Sequence, residues 1–136
     1  MQLTLNTDYS LRVLLYVAER PDEQISTKDI SDFFNISQNH LVKVVNNLGK
    51  LGYLNLKRGR YGGGITLAKK PEEINIGHVV EKIEPMIIVE CFDPEKNSCK
   101  ITSSCRLKGV LMRAKINFID QLKMTNLKDL LHKNQT

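Results

Sequence analysis

The sequence predicts a mainly α-helical protein with one small β-hairpin, arranged as a winged helix-turn-helix that is followed by a long helix. Apolar residues recur three and four positions apart through much of the chain, which is the spacing of one helix face. Two short extended runs flank a glycine-rich segment between residues 53 and 68, which predicts a hairpin. A further helical pattern continues from residue 105 to about residue 123.

The composition is that of a soluble globular protein with a basic surface. The 136 residues are 41% hydrophobic and 26% charged, with a formal net charge of +5. A chain of this length can form one domain with a core, or one domain plus an appendage. No apolar run reaches the roughly 20 residues of a membrane span, and no signal peptide is evident. We therefore expect a cytoplasmic protein, and the positive charge favours a polyanionic partner.

The first helix is predicted to begin near Thr7, after a short strand or lead-in over residues 1–6. From that point leucines recur at helical spacing, and Pro21 lies beyond the expected end. Asn6 or Thr7 is the expected N-cap. Asp8 lies in the first turn, where the helix dipole favours a carboxylate.

Residues 28–51 are predicted to form a helix-turn-helix. Ser26 or Thr27 is the expected N-cap of its first helix, and Gly52 follows the second helix at a position that suits a left-handed conformation. One face of the second helix is apolar, and the opposite face is polar and carries no acid. Such a helix presents its N-terminal turn to the major groove, where amide groups can pair with adenine. The residues predicted to contact DNA from this helix are Ser37, Gln38, Asn39, His40 and Lys43.

The hairpin over residues 53–68 is predicted to be the wing of the same DNA-binding unit, which we expect to occupy residues 1–84. Its glycines would let the backbone approach a phosphate chain closely, and Arg58 and Arg60 could enter a narrow minor groove. A nucleotide-binding glycine loop is the competing interpretation. No phosphate-loop lysine and no helix follows these glycines, which disfavours it.

All three cysteines lie in one segment, residues 85–105, that is rich in turn-forming residues. Cys91, Cys99 and Cys105 offer soft thiolate ligands that suit a metal ion or an iron–sulfur cluster. A structural zinc site is one alternative, although closely spaced CxxC pairs are missing. A cluster-free thiol redox sensor is the other. The odd number of cysteines and the expected location disfavour a disulfide.

The last part of the chain, residues 106–136, is predicted to hold the long helix and a short terminal helix. A narrow apolar seam on the long helix favours pairing with its twin in a homodimer. Packing against its own winged domain is the alternative. The seam consists of Leu107, Leu111, Ala114, Phe118 and Leu122, with Val110 and Ile119 beside it.

The chain resembles the winged-helix iron–sulfur regulators of bacteria over nearly its whole length. Within that family it is most similar to the nitric-oxide-sensitive repressors. The cluster regulators carry a histidine three residues after the last cysteine, where this chain has Lys108. The segments that carry the resemblance are MQLTLNTDYSLRVLLY at the start, ISQNHLVKVVNNL in the second helix of the helix-turn-helix, RGRYGGGITLAK in the wing, INIGHVVEKIEP before the cysteines, and CKITSSCRLK at the end of the cysteine segment.

The resemblance implies a homodimer that binds a palindromic DNA operator and carries an iron–sulfur cluster held by Cys91, Cys99 and Cys105. Asp8 matches an aspartate that can supply a fourth ligand from the other subunit in similar repressors. A four-iron cluster is favoured, and a two-iron cluster is the alternative. Nitric oxide, as the effector, would modify the cluster and release the repressor. No paired carboxylates, Ser–His–Asp set or phosphate loop is evident, so no enzyme is expected.

Overall fold

The structure, a computed structural model, describes residues 1–59 and 63–132. The predicted fold class, a mainly α-helical winged helix-turn-helix followed by a long helix, is confirmed. Within the described residues, no helix has both the length and the apolar character needed to cross a membrane. The elements are α1 (Leu5–Ala18), α2 (Thr27–Phe34), α3 (Gln38–Lys50), β1 (Leu54–Lys57), β2 (Gly64–Leu67), α4 (Ile76–Ile83) and α5 (Arg106–Leu122), with short 3-10 turns at Pro71–Glu73, Glu90–Phe92, Thr102–Ser104 and Leu127–Leu130.

The start of α1 differs from the prediction, because the helix begins at Leu5 and no strand precedes it. Thr4 is the N-cap: its backbone is extended, and its hydroxyl oxygen accepts a hydrogen bond from the Thr7 backbone N–H at 3.4 Å. The predicted caps, Asn6 or Thr7, are therefore wrong. The residues near Thr4 in the sequence could not predict this N-cap, because Glu84, eighty positions away, also accepts a hydrogen bond from the Thr4 backbone N–H at 2.7 Å.

The two helices of the helix-turn-helix, α2 and α3, are bounded by signals that act over a few residues. The Ser26 hydroxyl accepts from the Asp29 backbone N–H at 3.1 Å, and the Asp29 carboxylate accepts from the Ser26 N–H at 2.9 Å. This capping box satisfies two backbone donors, and the hydrogen bonds from Ser26 lower the pKa of Asp29. Asn35 takes a left-handed φ of 56° in the turn. Ser37 then caps α3 by accepting from the His40 N–H at 3.2 Å.

The wing is the antiparallel pair of β1 and β2, with Leu54 opposite Leu67. Each strand lies within about one residue of its predicted position, so the predicted hairpin is confirmed. Ile65 donates its backbone N–H to the Ile25 carbonyl oxygen at 2.9 Å, which attaches the wing to the segment that precedes α2. Arg60, which was predicted to contact DNA, lies outside the described residues.

One apolar core joins α1, α2, α3, the wing and α4. It contains fully buried side chains from several elements, including Leu14 of α1, Ile30 of α2, Leu41 of α3 and Val79 of α4. Leu127, in the turn that follows α5, is also fully buried and belongs to the same core. Each such side chain contributes about 1.5–3 kcal/mol relative to leaving it in water. The helix-turn-helix therefore has a fixed base on which its polar face is presented.

The long helix α5 packs on its own domain through its C-terminal end. Ile119 is buried there, and Gly77 of α4 approaches so closely that an added Cβ would lie 2.6 Å from the Lys123 backbone nitrogen. Near the other end, Leu107 and Val110 are 61% and 50% exposed. The predicted apolar seam is thus divided. Its C-terminal part packs against the winged domain of the same chain, which was the alternative prediction, and its N-terminal part is uncovered in the single chain.

Candidate DNA-binding surface and thiol loop

The N-terminal turn of α3 presents an exposed polar surface beside the buried face of the same helix. Gln38, Asn39 and Lys43 are all exposed, so their amide and ammonium groups are accessible. Leu41 between them is fully buried, which fixes the rotation of the helix. Amides can pair with base edges and a lysine can pair with a phosphate, so this surface has the chemistry of a DNA reader. Base contacts by these residues stay a prediction.

His40 is held differently from its neighbours in the same turn. It is half-buried, and its ring meets the ring of Tyr9 from α1 in an edge-to-face arrangement, with the centroids 4.8 Å apart and the planes at 64°. Such pairs contribute about 0.5–1.5 kcal/mol beyond area burial. The side chain is therefore part of the contact between α1 and α3, which we call the reading helix. Its isolated position in the sequence did not indicate this role.

The wing contributes positive charge next to the reading helix. Lys57 and Arg58 are both exposed at the end of β1, where the hairpin leaves the domain. The predicted contact by Arg60 falls outside the described residues. Exposed cations on a wing can track a phosphate backbone or enter the minor groove, so Arg58 stays a predicted DNA contact.

Asp8 lies on α1 in a two-point ion pair with Arg12. Arg12 Nε is 3.0 Å from Asp8 Oδ1, and Arg12 Nη2 donates to Asp8 Oδ2 at 3.1 Å. Both side chains are 41% exposed, so water and a second molecule can reach the carboxylate. The Arg12 guanidinium carbon also lies 5.5 Å from the Tyr9 ring centroid and 5.7 Å from that of Phe34. Asp8 is thus connected through Arg12 and Tyr9 to His40 on the reading helix.

The thiol loop, residues 90–105, carries the three cysteines in three different local settings. Cys91 lies in a 3-10 turn, Cys99 is exposed, and Cys105 is the residue before α5. All three thiols are free. No residue from Glu90 to Phe118 is buried, so the loop and the first part of α5 add nothing to the core.

The thiol loop is held by hydrogen bonds among its own residues. Ser98 donates to Glu90 at 3.0 Å, Asn97 Nδ2 donates to the Thr102 hydroxyl at 3.1 Å, and that hydroxyl donates to the Cys99 carbonyl at 2.9 Å. Exposed local bonds of this kind are easily exchanged for bonds to water. We therefore expect the loop to change its conformation at low cost.

The predicted ligands are not gathered into one cage within a single chain. Among the described residues, no three His, Cys, Asp or Glu side chains lie close enough to hold a metal ion. The donor chemistry nevertheless fits a cluster, because three free thiols lie on one exposed loop that has few anchors. Asp8, the fourth predicted ligand, lies on α1 and is paired with Arg12.

Sequence reasoning missed three residues of these sites. Arg12 could have been recognised, since an acid and an arginine four apart on a helix form a pair. No sequence signal connects Tyr9 with His40, because their contact depends on how α1 crosses α3. The hydrogen bond from Thr4, at the start of α1, to Glu84 was missed for the same reason.

The family model Rrf2, described as iron-dependent transcriptional regulators, matches residues 3–133. The chain belongs to the Rrf2 family. Its relatives include the HTH-type transcriptional regulators NsrR of Halalkalibacterium halodurans and Bacillus subtilis. They are 52% and 51% identical over 133 residues, which span 96% of this chain and 90% of each relative. The predicted family, and the predicted group within it, are confirmed.

The fold of this Rrf2 protein also matches a solved structure. Staphylococcus aureus CymR superposes with a TM-score of 0.72 at 24% identity, over 95% of this chain and 97% of that chain. This likeness concerns the fold alone. The family match and the NsrR relatives make this Rrf2 chain a transcriptional regulator and not an enzyme, as predicted.

Proposed function

We propose that this Rrf2 regulator is a cytoplasmic repressor that binds a palindromic operator as a homodimer, and that an iron–sulfur cluster controls its affinity for DNA. The single observation that carries the proposal is the thiol loop, whose three free thiols lie on an exposed segment outside the core. Structural residues of a small domain are normally buried. Three cysteines that lie outside the core, with Cys99 exposed and Cys91 and Cys105 half-buried, are better suited to binding an inorganic group.

The ligands in this proposal are Cys91, Cys99 and Cys105 of one chain and Asp8 of the other. When bound, a four-iron cluster, or alternatively a two-iron one, would supply iron sites that nitric oxide attacks, most readily at the iron with the weakest protein ligand. A carboxylate oxygen is a harder and weaker donor to such iron than a thiolate, which assigns that position to Asp8. The exposure of this carboxylate, 41%, supports access from a second subunit.

The route from Asp8 to the DNA-binding surface runs through contacts on α1. A metal ion bound to one Asp8 oxygen would compete with the Arg12 guanidinium for that oxygen's electron density and weaken the two-point pair, so Arg12 would shift. Arg12 lies beside Tyr9, and Tyr9 supports His40 at the start of α3. Ligand exchange at Asp8 would thereby alter the reading helix.

The homodimer is supported by the uncovered part of the α5 seam. Leu107 and Val110, both in that seam, are 61% and 50% exposed, although they lie on a regular helix. Pairing this surface with its twin would bury apolar area and set the distance between two reading helices. A palindromic operator requires those helices to lie about one DNA turn, roughly 34 Å, apart. Small changes at α5 or α1 would then weaken binding without altering any reading residue.

The decisive experiment measures binding to a DNA duplex selected from a random pool by anaerobically purified protein. Nitric oxide is expected to weaken binding by about 5- to 150-fold, the range of ordinary allosteric coupling. Replacing Cys91, Cys99 or Cys105 with serine should remove the visible absorbance of iron–sulfur protein and abolish the response. Ser103→Ala, at an exposed position in the same loop, is the matched control and should respond like the parent. Unchanged affinity with nitric oxide, or iron retained in all three cysteine variants, would end the proposal.

A cluster-free thiol sensor is the second candidate, because Cys99 is exposed and its thiol is free. Exposed thiols can oxidise to sulfenic acid or form mixed disulfides. In that case the anaerobic protein would be colourless and free of iron, and peroxide instead of nitric oxide would change operator binding. Zinc in a colourless preparation would indicate a structural site instead.

A further inference from the structure

The carboxylate of Glu84 joins the segment before the thiol loop to the first turn of α1. Its Oε1 accepts hydrogen bonds from the Thr4 backbone N–H at 2.7 Å and from the Thr4 hydroxyl at 3.0 Å. Thr4 is the N-cap of α1, and its carbonyl oxygen accepts from the Asp8 backbone N–H at 3.0 Å. Glu84 is thus separated from the Asp8 backbone by a single turn of helix.

The electrostatics of the Glu84 side chain agree with a built contact. Partial burial by itself would raise the pKa of Glu84. Hydrogen bonds from the Thr4 backbone, from the Thr7 and Thr4 hydroxyls and from the Met86 backbone outweigh that effect and hold the pKa below its ordinary value. A carboxylate at a helix N-terminus is also favoured by the helix dipole. The ionised form of Glu84 is therefore the one that binds α1.

The backbone between Glu84 and the thiol loop is conformationally restricted. Pro85 restricts the backbone, and Met86 takes a φ of 52°, a left-handed conformation that is unusual for a residue other than glycine. The Met86 side chain is buried, and the Ile88 N–H donates to the Met86 carbonyl oxygen at 3.1 Å. Cys91 follows three residues after Ile88. The carboxylate of Glu84 and this turn therefore determine where the thiol loop begins relative to α1.

The geometry points to Glu84 as a positioning residue that fixes α1, and with it Asp8, relative to the start of the thiol loop. This inference rests on the proposed function, in which Asp8 of one chain and the three thiols of the other bind one cluster in a homodimer. Each chain of the dimer would then give its Asp8 to one cluster and its thiol loop to the other, so the placement of α1 relative to the thiol loop within a chain affects both sites. Residues that orient ligands without touching the metal commonly change metal affinity by about 10- to 100-fold.

The test compares Glu84→Ala, Glu84→Gln and the control Glu73→Ala in anaerobic holoprotein. Glu73 is an exposed carboxylate in the 3-10 turn before α4. The readouts are the visible absorption spectrum and the rate at which a chelator removes iron. Glu84→Ala should lose iron about 10-fold faster than the parent, which is the lower end of the range for residues that orient metal ligands. Glu84→Gln keeps one carbonyl acceptor for Thr4 and should fall between them, and Glu73→Ala should match the parent.

The same variants in an Asp8→Ala background separate positioning from general stability. If Glu84 acts by holding Asp8, Glu84→Ala should add less than about 2-fold to the iron-loss rate once Asp8 is removed, because the two effects then share one path. The full effect in the Asp8→Ala background would overturn the inference. So would a Glu84→Ala protein that keeps iron as the parent does while Asp8→Ala loses it.

Failure of the proposed function has a different signature. A parent protein without iron, or an Asp8→Ala variant with the spectrum and iron-loss rate of the parent, would overturn that function and this inference together. An Asp8-dependent spectrum with Glu84 variants equal to Glu73→Ala would overturn the inference alone. Circular dichroism of each variant establishes that the comparison is made on folded protein.

Discussion

The winged domain and the thiol loop with the first part of α5 are built in opposite ways. The winged domain buries aliphatic side chains from every helix it contains, and its helices are bounded by side-chain caps. From Glu90 to Phe118 no residue is buried, and Cys105 provides no cap for α5. One region is complete within a single chain. The other has exposed apolar side chains and three free thiols, which we propose above to be covered by a second copy and a bound cluster.

This difference explains how one small chain could combine a DNA-binding surface of fixed shape with a thiol loop that changes conformation. A packed core resists deformation, whereas an exposed loop with local hydrogen bonds can rearrange at small cost. The segments that border the uncovered region are attached to α1 and α4. Before that region Glu84 binds Thr4 at the N-terminus of α1, and after it Lys123 lies against Gly77 of α4.

The largest effect should come from a pair of leucine substitutions, one in each region. Leu48→Ala removes a fully buried side chain of α3 and should lower the free energy of unfolding by about 2–5 kcal/mol. Leu107→Ala, at a 61% exposed position, should change it by less than about 0.5 kcal/mol in dilute protein. Urea unfolding at fixed low concentration measures both. Equal losses would contradict the division into a packed and an uncovered region.

A second comparison uses two helical glycines, Gly77 at the contact between α4 and the end of α5, and Gly109 in the uncovered part of α5. A Cβ on Gly77 would lie 2.6 Å from the Lys123 backbone nitrogen, so Gly77→Ala must push α5 away from α4. We expect a loss of about 1–3 kcal/mol, as for other overpacked positions.

Gly109→Ala is the control for that substitution, because its Cβ would have only the end of Arg113 within reach, at 3.6 Å. Alanine is a better helix former than glycine by up to about 1 kcal/mol, so this variant should be slightly more stable than the parent. Thermal unfolding distinguishes the two outcomes. A stabilised Gly77→Ala protein would show that α4 and α5 are not in close contact.

The smallest expected effect concerns the contact between α1 and the reading helix. Tyr9→Leu and His40→Ala each remove one ring of the edge-to-face pair, and the double variant closes a mutant cycle. We expect a coupling energy of about 0.5–1.5 kcal/mol in unfolding experiments. Additive effects would mean that His40 is free of Tyr9 and available for DNA, which would favour the direct base contact predicted from the sequence.

Much of the fold was predictable because its signals are local. The capping box at Ser26, the left-handed Asn35 and the cap at Ser37 act over a few residues, and the structure has all three. The start of α1 was predicted wrongly because Thr4 owes its place partly to Glu84, which is far away in the sequence.

The candidate sites divide in the same manner. The exposed polar turn of α3 and the clustering of the cysteines can be read from periodicity and spacing. In the single chain His40 contacts the Tyr9 ring and Asp8 pairs with Arg12, so neither side chain is free of other contacts. The His40 contact depends on packing between two helices, whereas the Asp8 pair lies within one helix.

The sequence by itself determined the order of helices and strands, the caps of the helix-turn-helix and the grouping of the thiols. These depend on side chains that interact with backbone only a few positions away. The tertiary structure decided that His40 rests on Tyr9, that Glu84 holds the start of α1, and that the α5 seam is half covered. Each of these depends on the angle and distance at which separate elements meet, and those are set by the packing of the whole core.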